Sequence, residues 1–337
     1  MKNVDIVFVT NLPSFYKIEL YNQIASKKKI MVFFTGDKAW ERNNDFFCGN
    51  IEFDYLYLEG PLFVKALKGI IYISRYKYKE LIISGWDQLL CWFCAFLFTA
   101  KKNACVIESS IYESDLVGIR YVLKKIFMKR ISKAYVCGKP HIRLIKALCF
   151  KGEIVTTGGC GILNYIQQPL YAPRQKVKHF LYVGRLIEIK NVSFLIEVFN
   201  LLPEFELKII GFGPLEDKLK QIAKENIIFE GAIDNSQLPF YYQHSDVFIL
   251  PSYSEPWGLV VEEALNNGLP VIVSNCVGCC EDLVTPERGI IFDIQNPNSL
   301  RDAILKISQI DYYNQLRKNV SQMDFVDRVK KQLDCYL

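Results

Sequence analysis

Hydrophobic residues recur along the chain in short runs that alternate with longer amphipathic stretches. The runs are rich in Val, Ile and Phe, which is typical of strands buried on both faces of a sheet. The stretches between them carry apolar residues at helical spacing, as in Ser14–Ser26 and Leu62–Tyr76. This alternation predicts parallel sheets covered by helices. The predicted strands are Asp5–Val9, Ile30–Phe34, Leu81–Ile83, Ala104–Ile107, Ala134–Val136, Phe180–Val183, Leu207–Ile210, Ile227–Phe229, Val247–Leu250 and Val271–Val273.

Turn-forming residues between Tyr165 and Lys178 interrupt both periodicities and predict a domain boundary. At 337 residues the chain also exceeds the size at which one hydrophobic core usually grows. We therefore predict two Rossmann-like, doubly wound domains facing each other across a cleft. The N-terminal domain spans residues 1–166 and the C-terminal domain residues 167–312. The C-terminal helix, residues 313–337, is expected to pack back onto the N-terminal domain.

The composition is that of an ordinary folded protein, with half of the residues hydrophobic and 23% charged. The 11 cysteines are scattered, which favours free thiols in the cytoplasm over a disulfide framework. Cys276, Cys279 and Cys280 cluster, but they lack a second pair at metal-ligand spacing, so small buried side chains are favoured over zinc. The longest apolar run, Leu89–Ala100, is shorter than the ~20 residues of a membrane span and predicts a buried helix.

The charge of the two halves differs in sign. Lys and Arg exceed Asp and Glu by ten over residues 1–168 and fall short by five over residues 169–337. A basic first half suggests an anionic partner, and without a nucleic-acid-binding motif a nucleic acid is not expected. The segment Arg120–Lys133 is basic and amphipathic. Two interpretations stay open: peripheral contact with an anionic membrane, at the inner face of the cytoplasmic membrane, or an ordinary helix packed on the sheet.

Ligands of doubly wound sheets bind beyond the carboxyl ends of the strands, so the loops after the strands are the place to look for chemistry. After Phe180–Val183, Gly184 ends the strand and Arg185 and Lys190 bracket the turn into a helix. A planar guanidinium and a mobile ammonium suit the grip of a diphosphate. After the next strand, Gly211 and Gly213 would let backbone approach a ligand.

A third loop, Pro251–Ala264, places Glu255 before a predicted helix start and Glu263 more than a turn into that helix. The uncommitted donors at this positive helix end are the backbone amides of Trp257, Gly258 and Leu259. An anionic phosphate with hydroxyl groups on either side would fit, because amides donate to oxyanions and carboxylates accept from hydroxyls. Glu262 is expected to solvate the helix surface. A fourth loop, Ser274–Asp282, is expected to close the far wall of the site.

In this order the residues resemble family 4 of the retaining glycosyltransferases, the group 1 glycosyltransferases of the GT-B fold. The resemblance covers about Tyr182 to Phe292. The family's Glu-x7-Glu pattern falls on Glu255 and Glu263, its paired cations on Arg185 and Lys190, its Gly-x-Gly on Gly211 and Gly213, and its Gly-Leu-Pro-Val-Ile turn on Gly268–Ile272.

The resemblance implies a division of labour around a nucleotide-diphosphate sugar, the donor substrate, with a UDP- or GDP-sugar expected. Arg185 and Lys190 would bind the diphosphate and stabilise it as the leaving group in place of a metal. Glu263 would hold the ribose and Glu255 the transferred hexose-type sugar, which the backbone of Trp257–Leu259 positions. No metal or further cofactor is expected, and the sequence contains no Asp-x-Asp.

The first half matches the family less well. Thr10–Tyr16 stands where many members have a Gly-Gly pair, and Glu108 follows a strand where members often place a histidine. Glu108 is therefore a candidate for contacting the transferred sugar or the acceptor, about as favoured as a structural carboxylate. His141 is expected near a helix cap. The acceptor, a glycan or lipid-linked glycan of surface polysaccharide or glycolipid biosynthesis, would contact first-half loops, including Gly36–Asn50. Acceptor-binding candidates are Asn11, Ser14, Tyr16 and Trp86.

Three alternatives remain. An epimerase-like enzyme of the same fold would use the same nucleotide-sugar contacts, although Glu255 followed by Pro256-Trp257-Gly258 favours transfer. A non-catalytic partner subunit would keep the fold without the chemistry. An NAD-dependent oxidoreductase ranks last, because Glu216 replaces the third glycine of the dinucleotide fingerprint.

Overall fold

The computed structural model describes residues 1–36, 49–162 and 167–337. The chain divides into two compact units, the first made of Met1–Leu163 with Val326–Leu337 and the second of Asn164–Phe325. Most of the predicted acceptor loop Gly36–Asn50 lies outside the described residues, and the predicted domain boundary at 166 borders the undescribed residues 163–166.

The first unit contains a seven-stranded parallel sheet with the order β4-β3-β2-β6-β7-β8-β9. Its strands are β2 (Ile6–Thr10), β3 (Ile30–Phe34), β4 (Asp54–Tyr57), β6 (Glu80–Ser84), β7 (Asn103–Ile107), β8 (Lys133–Val136) and β9 (Glu153–Thr156), while β1 (Lys2–Asn3) and β5 (Tyr76–Lys77) pair separately. The strand order reverses between β2 and β6. The edge strands β4 and β9 were not predicted, because neither is an apolar run buried on both faces.

Helices cover both faces of this sheet. They are α1 (Phe15–Ala25), α2 (Leu62–Ile73), α3 (Leu89–Leu97), α4 (Gly118–Met128), α5 (Lys139–Ala147) and, at the end of the chain, α13 (Phe325–Asp334). The buried apolar side chains of α2 to α5 share one core with alternate residues of the strands. On the other face Phe8 of β2 packs on Tyr21 of α1, and Tyr336 stacks on Tyr135 at 4.6 Å between ring centroids.

The second unit contains a six-stranded parallel sheet with the order β12-β11-β10-β13-β14-β15, which reverses between β10 and β13. The strands are β10 (His179–Val183), β11 (Glu206–Ile210), β12 (Ile227–Gly231), β13 (Val247–Leu250), β14 (Val271–Ser274) and β15 (Gly289–Phe292). The helices are α6 (Val192–Phe199), α7 (Glu216–Ile222), α8 (Leu238–Gln243), α9 (Leu259–Asn266), α10 (Cys280–Leu283), α11 (Ser299–Ile307) and α12 (Ile310–Val320).

The predicted fold class is confirmed: each unit is a doubly wound parallel sheet with the strand order of a Rossmann-like domain. The end of the chain differs from the prediction. Helix α12 stays with the second unit, where the Tyr313 hydroxyl donates to the Asp246 carbonyl at 3.0 Å, and only Val326–Leu337 joins the first unit. There Arg328 donates to the Gly158 carbonyl at 2.7 Å.

Two helices end before the last residue of the sequence segment that predicted them. The basic segment Arg120–Lys133 is helical only to Met128, and Lys133 begins a strand. The run Leu89–Ala100 forms α3, whose inner face is buried as predicted. Among the described residues, no helix combines the length and the apolar character that crossing a bilayer requires.

Candidate active site

The first two post-strand loops of the second unit pack directly against each other at the edge of the sheet. Gly211 has φ +138°, and a Cβ atom there would overlap the carbonyl oxygen of Gly184. A Cβ atom on Gly213 would likewise overlap the carbonyl oxygen of Leu186. The glycines are therefore required by backbone packing between the loops. Their approach to a ligand stays a prediction.

Lys190 and Glu255 form an ion pair where the strand order reverses. Lys190 ends a 3-10 turn that follows β10, and Glu255 lies in the loop after β13. Their side chains are 13% and 16% exposed, so water screens the pair weakly. The structure thus brings together a predicted diphosphate-binding cation and a predicted sugar-binding carboxylate.

Two hydrogen bonds hold these loops in place. Asn191, at φ +56°, donates from its side-chain amide to the Pro251 carbonyl at 3.2 Å. The Tyr253 amide donates to the Ile189 carbonyl at 2.9 Å. Because each contact joins the loop after β10 to the loop after β13, these two hydrogen bonds fix the spacing of the ion pair.

The fourth loop supports Glu255 from the other side. The Gly278 amide donates to the Glu255 carbonyl at 2.8 Å, and the Glu255 amide donates to the Cys276 carbonyl at 3.3 Å. Cys279 and Cys280 are buried, as the sequence predicted, whereas Cys276 is only half-buried. Burial raises the pKa of the Cys279 thiol well above its usual value. These thiols are packing groups, and this loop braces Glu255.

Helix α9 begins directly after Glu255-Pro256-Trp257-Gly258, with Gly258 in the left-handed region at φ +102°. In the part of the chain that the structure describes, the amides of Gly258 and Leu259 donate to no backbone carbonyl. They stand at the positive end of the helix dipole, where an anion is favoured. Two of the three predicted donors, the amides of Gly258 and Leu259, therefore stand at the start of α9 close in sequence to Glu255.

Glu262 corrects the sequence prediction. It was expected to solvate the helix surface, but it is 1% exposed, and its carboxylate accepts a hydrogen bond from the Trp257 indole nitrogen at 3.1 Å. A carboxylate that is paired in this way fixes the indole, which is itself buried. The Trp257 side chain thus belongs to the wall of the loop, and only its backbone remains a candidate sugar contact.

Glu263 is half-buried on α9 and accepts a hydrogen bond of 2.8 Å from the Tyr242 hydroxyl. Burial raises the pKa of Glu263 to about 7; the Tyr242 hydrogen bond opposes this shift, and the charge of Glu262 adds to it. Sequence reasoning missed Tyr242, because nothing in the pattern of α8 distinguishes it from a core residue.

Tyr182 was also missed. Its hydroxyl donates to the Arg185 carbonyl at 2.9 Å, and its pKa is raised by burial and by the Glu255 carboxylate while Arg185 lowers it. Since the charges of Arg185 and Glu255 both shift the pKa of one buried hydroxyl, the two residues lie close together at the carboxyl edge of the second sheet. Tyr182 thereby orients the backbone that carries Arg185.

The first unit has its own cluster where its strand order reverses. The Glu108 carboxylate, directly after β7, forms an ion pair with Lys17 Nζ on α1 at 2.9 Å. The side chain of Glu108 is 36% exposed and that of Lys17 is 7% exposed. The Glu108 carbonyl accepts a hydrogen bond of 3.1 Å from the His141 ring, which is fully buried in the first turn of α5. Burial lowers the pKa of Lys17, but Glu108 together with Tyr16 and Tyr21 raises it by more, so the net pKa is raised. Lys17 is therefore charged at neutral pH.

A cavity opens beside this pair. Its lining includes Asn11, Lys17, Ser84–Asp87 and Val106–Ser109. Of the predicted acceptor residues, Asn11 and Trp86 line the cavity and Tyr16 is half-buried, but Ser14 is 1% exposed at the start of α1. Ser14 is therefore not presented at the surface. Lys17 was not predicted from the sequence. A lysine on the apolar face of a predicted helix was the signal that could have indicated it.

The chain is similar to known proteins in its second unit and in its overall fold. Residues 167–323 match the family model described as glycosyl transferases group 1. An uncharacterized 41.2 kDa protein in the cps region of Klebsiella pneumoniae is 24% identical over 282 residues, 79% of this chain and 72% of the relative. A UDP-Gal:alpha-D-GlcNAc-diphosphoundecaprenol alpha-1,3-galactosyltransferase of Escherichia coli is 30% identical over 175 residues, 47% of this chain and 45% of the relative.

Among solved structures, the apo form of the lipopolysaccharide outer core galactosyltransferase WaaB superposes with a TM-score of 0.72 at 17% identity, covering 98% of each chain. This likeness shows the GT-B fold. For curated relatives other than the Klebsiella protein, the match spans between 28% and 45% of their length. Together the matches support a group 1 glycosyltransferase.

Proposed function

We propose that the chain acts as a group 1 glycosyltransferase of the retaining, metal-independent class. It would move a hexose from a nucleotide-diphosphate sugar to a glycan or lipid-linked glycan during surface polysaccharide or glycolipid biosynthesis. The observation that carries the proposal is the Lys190–Glu255 pair, held beside the amides of Gly258 and Leu259 where the second sheet reverses.

The donor chemistry follows from these groups. When the glycosidic bond breaks, negative charge develops on the diphosphate, and Arg185 and Lys190 are the cations that would stabilise it. The amides at the start of α9 would donate to phosphate oxygens or sugar hydroxyls. Glu255 would accept hydrogen bonds from hydroxyls of the transferred sugar, and Glu263 from those of the ribose.

Metal independence follows from the residues expected to bind the donor diphosphate. The sequence contains no Asp-x-Asp, and Arg185 and Lys190 would supply the positive charge with which a metal would otherwise neutralise the diphosphate. Retention of the anomeric configuration rests on the resemblance of the Glu255 and Glu263 spacing to family 4.

The acceptor would use the cavity of the first unit. Glu108 is paired with Lys17, and a carboxyl group beside an indole and an amide is suited to sugar hydroxyls. The galactosyltransferase relative has a lipid-diphosphate acceptor by its name, and the Klebsiella relative is encoded in a cps region. Both support an acceptor from surface-glycan assembly.

Calorimetric titration with UDP and GDP tests the donor assignment on the full-length chain. We expect one of the two to bind, and Lys190→Ala to weaken it. The matched control is Lys208→Ala, which breaks a Lys–Glu pair of 3.0 Å on β11, on strands away from the loops of the site. If neither nucleotide binds, or if both variants lose the same affinity, the donor site is wrong.

Transfer is tested next by incubating the chain with UDP-hexoses and saccharide acceptors, with and without a chelator. The expected result is a glycoside with the anomeric configuration of the donor, formed equally with chelator present. Inverted product would contradict retention, and loss of activity in chelator would contradict metal independence. Conversion of the donor sugar without any acceptor would instead indicate the epimerase-like alternative.

A further inference from the structure

Helix α4 presents an apolar stripe to solvent. Ile119, Val122, Leu123 and Ile126 have the spacing of one helix face, and each is between 40% and 75% exposed. Only Phe127 and Met128 of this helix are buried. The helix is therefore not an ordinary amphipathic helix with its apolar face on the sheet, because its main apolar stripe points away from the core.

Cations flank this stripe, and α4 itself carries no Asp or Glu. With 100° per residue, Lys125 and Lys129 lie on one side of the stripe and Arg120 on the other. Between Asp115 and Glu153 the sequence has ten Lys or Arg and no Asp or Glu. An apolar stripe with cations on both sides is complementary to a surface that has an apolar interior and anionic groups at its boundary with water.

A second helix of the same layer repeats the exposure. Phe63, Leu67 and Ile71 of α2 lie on one face and are each at least 45% exposed. Helix α3 joins the two: Phe93 packs edge-on against Phe63 at 6.0 Å, and Trp92 packs against Phe127 of α4 at 5.1 Å. The exposed side chains of α2 and α4 thus belong to one helical layer over the first sheet.

We propose that this layer, with α4 as its basic rim, docks the first unit on an anionic lipid bilayer. The stripe of α4 would enter the interface between headgroups and acyl chains, and the flanking cations would meet anionic headgroups. The commitment to an anionic bilayer rests on the cations that flank the stripe, Arg120, Lys125 and Lys129, and on a helix α4 that carries no Asp or Glu. Binding to a bilayer does not depend on nucleotide, so this proposal stands apart from the proposed function.

The apolar part is tested by co-sedimentation of the full-length chain with vesicles of phosphatidylcholine and phosphatidylglycerol. The variant Ile119→Gln/Leu123→Gln removes side chains that are 75% and 42% exposed. The control Leu201→Gln/Leu305→Gln removes side chains of the second unit that are 70% and 40% exposed. We expect about a 100-fold loss of vesicle affinity for the first variant, at about tenfold per apolar side chain, and none for the control.

The electrostatic part uses a second pair of variants. Arg120→Gln/Lys129→Gln should bind about 30-fold more weakly, at about fivefold per cation, and Arg301→Gln/Lys318→Gln, exposed on the second unit, should bind as the parent does. Added salt should weaken parental binding, and vesicles of phosphatidylcholine alone should not bind.

Three results would overturn the proposal. These are absence of binding to the mixed vesicles at any salt concentration, equal losses in the α4 variants and their controls, and equal binding to neutral vesicles. A concentration-dependent dimer in light scattering that the α4 variants abolish would show that a second copy of the chain covers the face instead.

Discussion

The raised pKa of Glu263 makes donor binding depend on pH. If Glu263 accepts hydrogen bonds from ribose hydroxyls, as proposed, the ionised carboxylate is the form that binds best. With a pKa of about 7, caused mainly by burial, the ionised fraction falls by roughly tenfold between about pH 8 and about pH 6. Nucleotide affinity should fall by about the same factor over that interval.

Calorimetric titration of UDP, or GDP if that nucleotide binds, into the parent chain and into Glu263→Gln at both pH values measures this effect. The terminal phosphate of the nucleotide titrates in the same range, but that contribution is common to both proteins. The ratio of their affinities therefore isolates Glu263. A ratio that stays constant from about pH 6 to about pH 8 refutes the argument.

Stability gives an independent check with a defined sign. Because the folded-state pKa of Glu263 lies above its unfolded value, the protonated carboxyl stabilises the fold. That contribution is present below about pH 4.5 and is lost as the pH rises through about 7; the shift corresponds to at most about 3 kcal/mol. Glu263→Gln, which cannot ionise, should therefore gain thermal stability over the parent between about pH 5 and about pH 8.

Three further substitutions have expected outcomes. Lys190→Ala should lower transfer turnover by at least about 100-fold, because it removes a cation from the leaving group; a loss confined to KM would contradict that role. Glu108→Gln should destabilise the chain by about 3 kcal/mol in urea unfolding, and more than Lys17→Met, since it leaves the less exposed partner charged and unpaired. Gly211→Ala should disrupt donor binding through its clash with the Gly184 carbonyl, and nucleotide affinity equal to that of the parent would show that the loops can separate.

The central strands were predictable because each is buried on both faces and reads as an apolar run. β10 and β13, which bracket the reversal in the second sheet, are buried along nearly their whole length. Edge strands lack this signal: β9 has no fully buried residue and alternates weakly. The return of the chain to the first unit was placed too early, because α12 and α13 are both amphipathic and a pattern does not reveal which sheet a helix packs on.

Site residues divided along a similar line. Glycines, cations and carboxylates in and just after the post-strand loops were predicted from their positions and from the resemblance to the family, since parallel strands deliver all their loops to one edge; their roles stay predictions. Residues that act through a distant partner were not found. Lys17 is paired with a carboxylate 91 positions away, and Tyr242 with one 21 positions away. The pattern predicts a surface position for Glu262 because it does not show the partner of the carboxylate. The Trp257 indole, five positions earlier, donates the hydrogen bond that offsets the cost of burying the carboxylate.

The Lys190–Glu255 pair connects the structure to the proposed chemistry. Each side chain is mostly buried, so each needs an opposite charge or hydrogen bonds at all times. In the proposed donor complex the diphosphate satisfies Lys190 and the sugar hydroxyls satisfy Glu255, so the two groups exchange one partner for another without either charge being left bare. A donor that lacked the sugar would satisfy only Lys190. UDP should therefore bind less tightly than a UDP-hexose. Glu255→Gln should reduce this difference in affinity, while Lys190 still binds the diphosphate. Equal affinities of the parent chain for nucleotide and nucleotide sugar would separate Glu255 from sugar recognition.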